Sequence, residues 1–222
     1  MEALVNPQIS LGSWFTKLLG KYSKSGLTSE TVALLHLGQI PNFIYRPGEH
    51  LLEMRSLYVL AKKEMNTLRP ALSSLSQRLK GLSIGSASEV ETKMLLTRVQ
   101  ARYGTVLSIA TVLNRMLLIH YPFDNELELD TKNTRDQVLS LAATAAPFRP
   151  LGASYVPLLL VCSLAATQND GARRELEHML EDYESDYAGF HWRPMVAFLE
   201  KRFERATAKF LTASIGALTF EA

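Results

Sequence analysis

Glu89–His120 reads EVETKMLLTRVQARYGTVLSIATVLNRMLLIH, and this stretch decides the fold. Leu95, Val99, Tyr103, Val106, Ile109, Ala110, Leu113 and Leu117 recur at steps of three and four residues. That spacing puts them on one stripe of a long helix. Pro122 stops it, and the acidic loop Asp124–Asp130 turns the chain. Upstream, Leu51, Met54, Leu57, Tyr58, Ala61 and Met65 give a second stripe. Arg69-Pro70 ends that helix or restarts it, because proline disfavours helix in the residue before it. Between the two helices, Leu82–Ser88 (82–88) is rich in Ser and Gly and reads as an internal linker or an interhelical loop.

The rest of the chain follows the same period. Leu11, Trp14, Phe15, Leu18, Leu19 and Tyr22 form an amphipathic N-terminal helix within residues 1–27, with Lys17, Lys21 and Lys24 opposite. A capped start at Thr28–Thr31 opens a short helix through Leu37, and Gly38–Gly48 reads as a loop around Pro41 and Pro47. Thr131 or Asn133 caps a helix that closes at Ala142–Ala146 before Pro147. A compact turn, Phe148–Gly152, leads to an apolar helix near Tyr155–Thr167. The turn Asn169-Asp170-Gly171 precedes a charged helix, Ala172–Tyr183, and the amphipathic helix Trp192–Phe210 carries Met195, Phe198, Leu199 and Phe203 inward. No strand pattern and no repeat emerges. The expectation is an all-α single domain, 1–222, of seven to nine helices.

Composition bounds the chemistry. The 222 residues are 47% hydrophobic and 21% charged, with a formal net charge of +2. A chain of that size buries enough surface to need no staples, and its near-neutral charge offers no long-range field to a polyanion. No nucleic-acid partner is expected. The one cysteine, Cys162, lies in an apolar run and reads as buried filler rather than a reactive thiol. The segment Met1–Pro7 lacks the basic-then-apolar pattern of a signal peptide, and the longest apolar stretch, Tyr155–Ala166, is too short to span a bilayer. An intracellular, cytoplasmic protein without stable membrane insertion is the expectation.

Two segments carry a family resemblance. Tyr45-Arg46-Pro47-Gly48-Glu49-His50-Leu51-Leu52-Glu53-Met54-Arg55 is one; the other is Ala146-Pro147-Phe148-Arg149-Pro150-Leu151-Gly152 with the later Asp182-Tyr183-Glu184-Ser185-Asp186 and the Trp192–Phe203 helix. Together they make residues 34–205 resemble the helical regulatory region of fungal zinc binuclear-cluster transcription factors. Such factors hold two zinc ions with six cysteines ahead of that region, and this chain has one cysteine in all. The resemblance implies a helical effector-type scaffold without the zinc-cluster DNA-binding domain, and a fungal origin.

Candidate chemistry is sparse. Glu175 and His178 give one Glu-x-x-His, but di-iron bundles need a second copy and further glutamates. Asp182, Glu184 and Asp186 alternate without the spacing of a magnesium-binding motif. Nucleotide, flavin and serine-hydrolase signatures are missing from the sequence. No metal and no cofactor is expected.

His50 follows the Tyr45–Gly48 turn beside Glu49 and Glu53, so it can act as acid, base or hydrogen-bond donor. His120, Tyr121, Tyr155 and Trp192 are polar-tipped rings at loop–helix junctions, where they can line an apolar pocket. His50 and Tyr45 are the candidate catalytic pair. Arg46, His120, Tyr121, Tyr155 and Trp192 are the candidate substrate-binding residues.

Two functions fit this pattern. One is a cofactor-independent cyclase of fungal terpenoid or polyketide biosynthesis, of the Diels–Alder type, acting on an apolar small molecule. Such a reaction needs no nucleophile or metal: positioning supplies up to ~7–11 kcal/mol, and hydrogen bonds to an activating carbonyl add more. The other is a non-enzymatic regulatory or ligand-binding protein derived from a transcription-factor effector domain. The second reading brings a homodimer with it as an open alternative.

Overall fold

The structure, a computed structural model, describes residues 40–187 and 189–219, and these contain seven α-helices and no strand. They are α1 (Ile40–Tyr45), α2 (Leu51–Lys80), α3 (Ala87–His120), α4 (Asn125–Ala145), α5 (Val156–Ala166), α6 (Asp170–Glu184) and α7 (Trp192–Thr219). The amphipathic helix expected within residues 1–27 and the short one through Leu37 lie outside the described residues.

At the centre runs α3. Every residue from Val106 to Asn114 is buried, so this part of the helix is covered on all sides rather than along one stripe. It packs against α2, α4, α5 and α7. Leu95, expected in the stripe, is instead 46% exposed and Leu96 is buried. Residue 95 lies towards the far end of the α2–α3 hairpin, where few other elements reach and the stripe loses its cover. The second central element is α5, whose residues are all buried except Leu158; it touches α3, α4, α6 and α7.

Several boundaries differ from the sequence expectation for local reasons. Part of the expected loop Gly38–Gly48 is helical, because Ile40, Phe43 and Ile44 bury themselves together as α1. Pro70 neither ends nor restarts α2, which continues to Lys80. Pro70 and Asn66 are both exposed, so water can take the Asn66 carbonyl that proline leaves unbonded. The linker shortens because α3 starts at Ala87. Ser86 is its N-cap, accepting from the Glu89 amide at 3.1 Å, while the Glu89 carboxylate accepts from the Gly85 amide at 2.5 Å.

The acidic loop after Pro122 is mostly helix. Asp124 caps α4 by accepting from the amides of Glu126 and Leu127 at 3.1 and 3.2 Å. The carboxylates of Glu126 and Glu128 then sit in the first turn, where the helix dipole favours negative charge. Neither Thr131 nor Asn133 is the cap.

Side-chain bonds tie α4 to its neighbours. Tyr58 and Lys62 of α2 both donate to Asp130, at 2.7 and 2.6 Å. Asn114 of α3 donates to the Leu127 carbonyl at 3.1 Å and to the Thr131 hydroxyl at 2.7 Å.

Cys162 is buried in α5, and burial pushes its thiol up to about 12. At pH 8 about one thiol in ten thousand would then be ionised, and the thiolate is the reactive form. Native protein is therefore expected to stay inert to a thiol-specific disulfide reagent at pH 8 and to consume one equivalent once unfolded in guanidinium. Fast stoichiometric reaction of folded protein would contradict this environment.

Candidate functional site

Three of the seven expected site residues meet at one end of the bundle. The sharp turn from α1 to α2, a single 3₁₀ turn over Pro47–Glu49, brings Gly48 against His120 at the C-terminus of α3. A Cβ placed on Gly48 would come 3.9 Å from the His120 ring. His50 opens α2 with its backbone carbonyl, which accepts from the Met54 amide at 2.9 Å, and makes no side-chain cap bond. Its ring tilts against Phe43 with centroids 5.7 Å apart. His120 meets Phe210 of α7 edge-on at 5.5 Å. Tyr45 lies beneath the Arg202 guanidinium at 3.7 Å, a cation–π contact between α1 and α7.

Two others stand at the rim. Arg46 keeps a side chain 71% exposed, 3.6 Å from Glu49. Tyr121 is 38% exposed, with the Arg55 guanidinium 5.6 Å above its ring.

The remaining two are elsewhere. Tyr155 packs its ring against Gly104, which precedes His120 by ~24 Å along α3 at helical rise. Trp192 opens α7 and is buried, ~27 Å along that helix from Phe210. About half of α3 separates Tyr155 from His120 and much of α7 separates Trp192 from Phe210, so the seven do not line one pocket.

His120 is the most unusual group at the first end. Its Nε2 is buried with no hydrogen-bond partner, and burial holds its pKa below the ordinary histidine value. The unfolded chain therefore protonates first as pH falls. Stability should be full above about pH 6.5 and should decline as pH drops from there towards the lower folded value. Denaturant titrations at pH 7.5 and 5.5 check this: His120→Gln should flatten the decline, and an unchanged slope would remove His120 as its source.

A second site was not foreseen. A groove of about 310 Å³ lies between α3, α4 and the end of α5. Arg115, Asn114, Thr131, Lys132, Arg135 and Thr167 are among its lining residues. Asn114 is 3% exposed. Its amide nitrogen must face the Leu127 carbonyl, which can only accept. Its Oδ1 is thus fixed as the free end, buried and without a partner. Arg115 is half-buried, makes no ion pair or hydrogen bond with any described residue, and is pulled down in pKa by burial. The signal was present in the sequence: Asn114-Arg115 interrupts the otherwise apolar end of the central helix.

The acidic residues Asp182 and Asp186 have a structural partner. Arg149 donates to Asp186 at 2.5 Å, to the Asp182 carboxylate at 2.8 Å and to the Asp182 carbonyl at 2.6 Å. Glu184 instead faces His191 and Arg193. Among the described residues no three His, Cys, Asp or Glu side chains are grouped to hold a metal ion, and no helix is long and apolar enough to cross a membrane.

No family model, curated protein or solved structure matches the chain.

Proposed function

We propose that the chain is a regulatory, effector-binding helical domain that takes a small polar metabolite into the groove between α3, α4 and α5. The carrying observation is Arg115: a half-buried guanidinium that makes no ion pair or hydrogen bond with any described residue. Desolvating a cation without a partner costs stability, and a bound ligand that supplies the partner returns it. An apolar cyclase substrate would give this groove nothing to pair with. The resemblance to a transcription-factor regulatory region agrees with a binding role, and the near-neutral charge agrees with the absence of a nucleic-acid partner.

The test is thermal denaturation of the purified chain against a metabolite collection, followed by calorimetry on any hit. Small polar compounds that raise the melting temperature in a saturable way are the expected outcome. No polar stabiliser, together with faster cyclisation of an apolar pathway intermediate than in buffer, would overturn the reading.

One observation favours the cyclase as a second reading. The orphaned Nε2 of His120 lies at the same end as His50 and Tyr45, and a carbonyl-bearing polyketide or terpenoid could meet donors there. If turnover occurs, His50→Ala or Tyr45→Phe should slow it by about 1–3 kcal/mol, the worth of one lost hydrogen bond, without abolishing it. Equal rates with and without protein would set this second reading aside.

A further inference from the structure

Two consecutive residues of the α3–α4–α5 groove, Arg115 and Asn114, carry unmet hydrogen-bonding groups, one a donor and one an acceptor. Arg115 offers guanidinium N–H groups that no described residue accepts from. Asn114 offers a buried Oδ1 that no group donates to. Three of the hydroxyls around them are already committed: Thr111, Thr131 and Thr167 each donate to a carbonyl one turn back, at 2.8, 3.0 and 2.7 Å. These three hydroxyls therefore do not donate to Asn114 Oδ1. The charge around the groove is three cations, Arg115, Lys132 and Arg135, against the single carboxylate of Glu128. Arg135 is partly offset by its ion pair with Asp136 at 2.9 Å. Leu118 and Ala166 close the groove with apolar wall, and about 310 Å³ is at the small end of ligand sites.

Resting on the effector-binding reading above, we infer that this groove binds a small oxyanion carrying a hydroxyl or amine near its charge: the anion pairs with Arg115 and the neighbouring donor bonds Asn114 Oδ1. A hydroxy-acid and a hydroxyl-bearing phosphate share that chemistry. A guanidinium fork suits either head, since both present two oxygens side by side. Binding completes both unmet groups in one step. It also contacts three helices at once, which couples the position of α4 to occupancy.

The experiment is calorimetric titration of the full chain with four probes: malate, succinate, glycerol 3-phosphate and inorganic phosphate. Malate should bind several-fold more tightly than succinate, which lacks the hydroxyl. Glycerol 3-phosphate should likewise exceed inorganic phosphate if the head is tetrahedral, and the tighter of the two hydroxylated probes identifies the head. Arg115→Gln should weaken the better probe at least about tenfold, because a charge-assisted bidentate contact is lost. Arg115→Lys keeps the charge without the fork and should fall between them, which separates recognition from misfolding. Lys132→Gln, at the exposed rim, should change affinity less than about threefold at physiological salt.

Binding that is unchanged in Arg115→Gln would overturn the inference. If neutral polar metabolites bind the wild type and Arg115→Gln equally, the effector reading survives and the oxyanion assignment falls. If no polar compound of any charge binds, both fall together.

Discussion

Replacing Gly104 with alanine is expected to destabilise the fold by about 2 kcal/mol, although alanine is the better helix former. Gly104 lies inside α3, where glycine costs ~1 kcal/mol relative to alanine. The reason for accepting that cost is the Tyr155 ring. A Cβ at position 104 would sit 2.4 Å from Tyr155 Cδ2, 2.6 Å from Cε2 and 3.4 Å from Leu141 Cδ2. Partly buried Tyr155 has no flexible far end at those atoms, so the ring or the α3–α5 spacing must give. Overpacking of this kind costs ~1–3 kcal/mol, and contacts this short put it at the upper end. The propensity gain offsets about a third.

The sign provides the test. With the ring removed by Tyr155→Ala, itself worth a loss of ~3–5 kcal/mol, the second change Gly104→Ala should become neutral or stabilising by up to ~1 kcal/mol. Denaturant unfolding of the four proteins closes the cycle, with a coupling of roughly 2–3 kcal/mol. Stabilisation by Gly104→Ala in the otherwise unchanged chain would mean that Tyr155 does not pack there.

Arg149→Ala is expected to cost about 3 kcal/mol. Its side chain is 21% exposed and reaches two carboxylates and a carbonyl of the α6 end. Its guanidinium also covers the Tyr183 ring at 4.3 Å. Asp186, itself only 22% exposed, would be left without a counter-charge. Breaking a fully buried pair costs ~3–5 kcal/mol; the partial exposure here places the loss at the low end. Tyr187 adds a bond from its hydroxyl to the Pro150 carbonyl, so the connection between α4 and α5 is held to α6 at two points. Arg149→Lys should recover less than half of the loss, since one ammonium cannot meet three acceptors and cover a ring. Urea midpoints read both values. A loss below about 1 kcal/mol for alanine would show the network to be a solvated surface contact.

Arg149 physically joins Ala146–Gly152 to Asp182–Asp186, two segments well separated in the sequence. The helices themselves were legible because burial imposes the 3.6 period: every member of the α2 stripe is buried or packed against the core. The start of α4 was not. Acidic residues next to a proline look like a loop until Asp124 is recognised as a cap that favours carboxylates in the following turn.

The site was the least legible feature. Histidine and aromatic rings at helix junctions were natural candidates, but a junction gives a position along the chain and not a meeting point. Tyr155 and Trp192 were therefore grouped with His120 across distances that only the path of α3 and α7 reveals. The Asn114-Arg115 pair is hard to read as a site because the residues on either side of it are apolar and read as core. The lack of a partner for Arg115 is a property of α4 and α5, not of its own helix.

At the seam between α1 and α7, the contact of Tyr45 with Arg202 joins residues some 160 positions apart, and at the same end His120 of α3 meets Phe210 of α7, some 90 positions on. Most of the other principal pairings join helices that are neighbours or near-neighbours in the chain, although α7 also packs on α3. In the order of assembly the central hairpin and its α4 and α5 flanks form early, since close partners lose little loop entropy in meeting. The seam closes last. The same asymmetry persists in the finished molecule, because a unit that docks late and through few contacts is also the first to come away. α1, held to α7 by few contacts, is thus the element expected to come away first.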